Sequence, residues 1–233
     1  MKPSELTALG HSRQSTSTWA RFEVALLLDR DLGAAHAALR AYAAGELAAA
    51  PRWIEPGNAG QSPCGYADTA AVAVLAEPPA ARRLEVLRPG VDPAALAVRW
   101  RDCPAPRAQV AMATLHYFLA DEPAAARLLI RTRPTGVVDE ITARVLSLVV
   151  RGRGAEVGAA LSAAAAPYAA AMAGGLWRRE PRAFTHVALL AVLLTAAERG
   201  QLDLAALPDP IEYAPIAFIR YLRDVAPVAT TPR

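Results

Sequence analysis

The chain reads as an all-α protein, an irregular stack of antiparallel helical hairpins in a single domain. Three observations predict this. Hydrophobic residues make up 54% of the 233 residues while aromatics make up only 6%, so the apolar mass is Ala, Leu and Val. Alanine is the strongest helix former and loses no side-chain entropy in a helix. Runs of Ile, Tyr, Phe and Thr that would favour strands are scarce. Prolines and glycines divide the chain into pieces of helical length.

Taken in order, residues 1–17 carry no periodic apolar pattern and read as a disordered N-terminal segment. Ser17 or Thr18 can cap a helix over 19–29. A second helix fits 32–49. The stretch PRWIEPGNAGQSPCG, residues 51–65, is the longest loop and contains Trp53, a candidate binding residue. Further helices fit 66–76, 80–87, 94–101, 106–120, 123–132, 138–151, 155–172, 182–198 and 213–224. The helical domain thus covers 18–226, and 227–233 reads as a flexible tail.

Four places share a pattern: LLLDRDLGAAHAAL from Leu26, FLADEPAAARLL from Phe118, LVVRGRGAEVGAAL from Leu148 and LLTAAERGQLDLAAL from Leu193. Each is an apolar helix end, a short charged turn, and a new helix start with small residues and leucine. This is the signature of an αα-hairpin. The corners start at 26, 118, 148 and 193. That irregular spacing favours an irregular stack of hairpins over a tetratricopeptide array, whose period is about 34. In the last corner Leu189, Leu190, Leu193 and Leu194 fall at helical spacing and are expected in the core.

Charge and targeting bound the function classes. The formal net charge is +3, and Lys2 is the only lysine. An arginine, alanine and proline bias of this kind points to a GC-rich coding sequence of actinobacterial style. The arginines are scattered beside acids and not interleaved with aromatics, so nucleic acid is not the expected partner. The first residues lack the apolar segment of a signal peptide. The uncharged run from Val187 to Ala197 is too short for a membrane span, which needs about 20 residues. The stretch from Gly158 to Trp177 is interrupted by Pro167 and Gly174–Gly175. A cytoplasmic protein is expected.

Chemistry-bearing residues are few. Cys64 and Cys103 form no metal or disulfide framework. The histidines at 11, 36, 116 and 186 lack the i, i+4 spacing of a helical metal site, and no metal or cofactor is expected. His116 and His186 read as partly buried, hydrogen-bonded residues. Asp121–Glu122 and Asp139–Glu140 sit at helix starts, where acids favour the dipole. The phosphate-binding glycine loops are missing.

The sharpest catalytic candidate is GNAGQSPCGYADTAAVAVLA. Here Cys64 opens an apolar helix, whose free N–H groups would stabilise a thiolate. Gln61, three residues earlier, could donate to an oxyanion. This short stretch resembles the nucleophile region of papain-like cysteine peptidases. The resemblance implies a base, for which His186 is the candidate, with Asp203 orienting it. The strands that carry the base in that family are missing here. A binding candidate is GGLWRREPR, where two glycines precede Trp177, Arg178 and Arg179. Tryptophan and arginine are the residues most enriched at binding hot spots. Tyr213, Phe218 and Tyr221 on the last helix read as core.

From His116 onward, the order LHYFLADEPAAARLL, VDEITARVLSLVVRG and FTHVALLAVLLTAAERGQLDLAALP resembles Imm49-type immunity proteins of bacterial polymorphic toxin systems. The resemblance covers about half of the chain and consists mostly of helix patterning. The family's tryptophan before the first of these helices and its Tyr-rich acidic motif are not matched. It implies a non-catalytic partner that binds and neutralises a cognate toxin, through a surface near 173–182 or 51–65. Two other readings stand beside it. One is a cysteine-dependent acyl-transfer or hydrolase enzyme using Cys64 and His186. The other is a helical accessory protein that holds a small apolar ligand between hairpins.

Overall fold

The computed structural model describes residues 17–53, 63–76, 106–134, 136–176, 185–208 and 214–225, without the side chains of 47–53 and 63–66. Among these residues there are nine α-helices and no strand. They are α1 (Thr18–Val24), α2 (Leu32–Trp53), α3 (Pro63–Ala76), α4 (Pro106–Phe118), α5 (Glu122–Arg131), α6 (Val137–Val150), α7 (Val157–Ala173), α8 (Val187–Glu198) and α9 (Ile216–Val225). A π-turn at Ala25–Asp29 extends α1, and short 3₁₀ turns occupy Gly154–Glu156 and Leu204–Ala206. The helices expected over 80–87 and 94–101, the N-terminal segment 1–16 and the tail 227–233 lie outside the described residues.

One hydrophobic cluster gathers side chains from all nine helices. Helix α3 packs against α2, α4 and α8. Its residues Ala67 and Thr69 to Ala76 are all buried. Helix α8 is buried from Val187 to Ala196 except at Ala188, which is half-buried. A helix that is apolar all round belongs in the centre of a core. Leu189, Leu190, Leu193 and Leu194 are in the core as expected, but Ala191 and Val192 on the other faces are equally buried. At 12 residues α8 is about 18 Å long, against an apolar bilayer thickness of about 30 Å. Among the described residues no helix is long and apolar enough to cross a membrane. The charge-free run is therefore the middle of a protein core.

Each of the four charged turns is built on a residue in the left-handed region. These are Arg30 (φ 55°), Ala120 (φ 64°), Gly152 (φ 70°) and Gly200 (φ 69°). The last three share one hydrogen-bond pattern. Asp121 N donates to His116 O and Ala120 N to Tyr117 O; Arg153 N to Leu148 O and Gly152 N to Val149 O; Gln201 N to Ala196 O and Gly200 N to Ala197 O. This paired closure is the Schellman motif, which satisfies the last carbonyls of α4, α6 and α8. The residue after each of the first two turns caps the next helix; Asp31 Oδ1 accepts from Ala34 N at 2.9 Å at the start of α2. Asp121 caps α5, its Oδ1 accepting from Ala124 N at 3.1 Å. Ser17 caps α1, its Oγ accepting from Ala20 N at 3.4 Å.

The expectation of a helix from 182 to 198 needs correction at its start. Thr185 and His186 are not helical. Val187 N donates to Thr185 O at 2.8 Å, and His186 has φ −78° and ψ 73°. These values describe an inverse γ-turn centred on His186. The helix therefore begins at Val187.

Candidate functional site

Several of the residues singled out by sequence are not brought together by the described structure. Trp177, Arg178 and Arg179 lie outside the described residues, as do Gln61, Cys103 and Tyr213. Trp53 ends α2 and Cys64 sits in the first turn of α3, and their side chains also lie outside the described part. His186 is described in full. Its helix α8 packs against α3, the helix that carries Cys64.

His186 is 4% exposed. The γ-turn aims its ring at the first turn of α6. Nε2 lies 2.9 Å from the carbonyl oxygen of Val138 and 3.1 Å from Thr142 Oγ1. Thr142 Oγ1 donates to the same Val138 carbonyl at 3.1 Å. A carbonyl can only accept, so Nε2 carries the hydrogen and donates to both oxygens. Nε2 therefore cannot take a proton from a thiol, and only Nδ1 could act as a base on this ring. Asp203 does not orient it: its carboxylate accepts from Ala205 N at 2.9 Å and caps the 3₁₀ turn that follows. The ring ties the entrance of α8 to the start of α6.

His116 and His36 play similar parts. His116 Nδ1 lies 3.1 Å from Asp121 Oδ2, joining the end of α4 to the cap of α5. His36 Nε2 donates to Ala76 O at 3.1 Å, linking α2 to the end of α3, and its ring meets Tyr221 edge-on. Phe218 is fully buried against Phe22. Among the described residues no cluster of three or more His, Cys, Asp or Glu could hold a metal ion.

The most connected polar group was not anticipated from the sequence. It joins the corner after α4 to the corner after α8. Arg199 Nη1 donates to Tyr117 O at 2.8 Å and Nη2 to Phe118 O at 3.3 Å. Its guanidinium also lies over the Tyr117 ring, 4.7 Å from the centroid. The fully buried Tyr117 donates its hydroxyl hydrogen to Gln201 Oε1 at 2.7 Å. Gln201 Nε2 donates to Glu122 Oε1 at 2.8 Å, and Glu122 pairs with Arg199 at 3.6 Å. Burial pushes the Tyr117 hydroxyl well above the usual phenol range, despite the opposing pull of Arg199. A third corner joins this pair. A Cβ on Gly154 would overlap the main-chain oxygen of Gln201, so the turn after α6 presses directly on the turn after α8.

On the outside, Ile130 is the most exposed large hydrophobic residue described, at 71%. It lies on α5 between exposed Arg127 and Arg131, and exposed Arg133 follows the helix end. No family model, no characterised protein and no solved structure matches this chain.

Proposed function

We propose that the chain is a non-catalytic protein-binding module of the immunity type, acting in the cytoplasm by covering part of a cognate toxin. The observation that carries this reading is the state of His186. Its ring is buried, and Nε2 is committed to Val138 O and Thr142 Oγ1. Cysteine catalysis needs a base positioned on the thiol as well as a lowered thiol pKa. Here the ring serves as a tie between α6 and α8. The immunity-type part of the reading rests on the sequence resemblance of the segments from His116 onward.

The test follows the alkylation rate of Cys64 against pH by intact mass, in a Cys103→Ser background. The expected thiol titrates near the reference of about 8.5. His186→Gln keeps an N–H donor for Val138 and should leave that profile unchanged. A thiol titrating far below the reference, and returning to it in His186→Gln, would establish the cysteine enzyme instead. In parallel, co-production with a candidate cognate toxin should restore bacterial growth equally with wild type and with Cys64→Ala.

A further inference from the structure

We infer that the outer face of α5, centred on Ile130, docks an acidic segment of a partner protein that carries apolar side chains among its carboxylates. The inference rests on the protein-binding reading and names the chemistry of the partner.

Residues 127, 130 and 131 stand at i, i+3 and i+4, so they share one side of α5. The opposite side, Ala125 and Leu129, is buried. Arg127, Arg131 and Arg133 are exposed, and none has an ion pair or hydrogen bond among the described residues. Three other arginines are engaged: Arg153 pairs with Glu156, Arg199 caps α4, and Arg220 of α9 donates to Leu204 O and Leu207 O.

The acids of α5 are at its other end and are engaged there. Asp121 holds Ala124 N and His116, and Glu122 holds Gln201 and Arg199. Arg131 stands nine positions beyond Glu122, about 14 Å along the helix, beyond the roughly 8 Å Debye length of physiological salt. Exposed Glu140 and half-buried Asp139 belong to the neighbouring helix α6, as does exposed Arg144. Among the described residues, Arg127, Arg131 and Arg133 therefore have no acidic partner at the C-terminal half of α5.

The helix dipole accounts for one cation in the last turn. It does not account for a 71% exposed isoleucine set between arginines. An apolar anchor ringed by arginine is the composition of a protein-binding hot spot, in which the rim charges select and steer an opposite charge. A nucleic acid would meet the arginines but would find no aromatic side chain to stack on among the described residues of α5.

The test uses the whole chain and three fluorescein-labelled probes in anisotropy titrations. The first is a helical peptide with glutamates at i, i+4 and leucines on one face. The second has serine in place of each leucine. The third is a single-stranded oligonucleotide. The leucine peptide should bind saturably and weaken with added salt. Ile130→Asp and the double variant Arg127→Glu/Arg131→Glu should each reduce its affinity at least tenfold, with the thermal midpoint kept near wild type because the side chains are exposed. No saturable binding at millimolar leucine peptide overturns the inference. So does equal binding of the serine peptide, tighter binding of the oligonucleotide, or indifference to Ile130→Asp. No toxin takes part, so failure of this surface and failure of toxin neutralisation are read separately.

Discussion

Ala120 is the sharpest place to test the corner geometry. It occupies the left-handed position of the Schellman turn after α4 with φ 64°, where Gly152 and Gly200 stand in the equivalent turns. An L-residue in that region costs about 1–2 kcal/mol. Replacing it by glycine removes this cost but gives the unfolded chain more freedom, worth about 0.4–1 kcal/mol. Ala120 is exposed, so its methyl contributes no core packing. Ala120→Gly should therefore stabilise the fold by about 0.5–1 kcal/mol, a rise in Tm of about 1–4 °C for a chain of this size. Gly152→Ala and Gly200→Ala should do the reverse by a similar amount. A Cβ at either position meets nothing within 4 Å, so only the backbone conformation is tested. Urea unfolding of the three variants, followed by far-ultraviolet circular dichroism, measures all of them. A less stable Ala120→Gly, or two neutral alanine variants, would refute the left-handed turns and the shared motif.

Gly154→Ala should lose about 2–3 kcal/mol in the same assay, because the new methyl meets the main-chain atoms of Gln201 and Leu202, which cannot rotate aside. Tyr117→Phe should lose about 1–2 kcal/mol at neutral pH by leaving Gln201 Oε1 without its donor. Its pH dependence has a definite sign. The folded Tyr117 hydroxyl is held above its ordinary value, so the unfolded state alone releases a proton as pH rises past about 10. Wild-type stability should then fall by up to about 1.4 kcal/mol per pH unit from this group. Unfolding curves at pH 9 to 11 should show that component missing in Tyr117→Phe.

The helices were legible because alanine and leucine mark their bodies and Asp, Gly and Pro mark their ends. Asp121 caps α5 as its position before an apolar run implies, whereas α3 starts at Pro63, inside the expected 51–65 loop, because a proline in the first helical turn loses no hydrogen bond. The start of α8 was less legible. Residues 184 and 185 are compatible with helix, but His186 is drawn 48 positions back along the chain to Val138, and the backbone turns to allow it. Local propensity carries no trace of such a bond. The same holds for Tyr117, Glu122, Arg199 and Gln201. Their contacts cross about 80 residues and depend on how two corners meet. Gly154 reads locally as an ordinary turn glycine, whereas its role is to let one main chain approach another. Ile130 belongs to an apolar pair, Leu129–Ile130, of which periodicity can bury only one member; packing of α5 on α4 buries Leu129.

These long-range ties bear on function because they hold the proposed docking helix at both ends. At its start, Asp121 is fixed by His116 and Glu122 by Gln201. At its end, Thr132 Oγ1 reaches both Leu128 O at 2.8 Å and Gln109 Oε1 at 3.0 Å on α4. A helix fixed in this way loses little freedom when a partner covers it, and affinity is gained by avoiding that loss. Thr132→Val leaves Arg127, Ile130 and Arg131 in place but removes the tie at the C-terminal end. Hydrogen exchange should then quicken at Arg131 to Arg133, and the leucine peptide should bind more weakly, with a smaller loss than Ile130→Asp produces. Faster exchange with unchanged affinity would mean that the surface acts through its side chains alone and that rigidity of α5 contributes nothing to recognition.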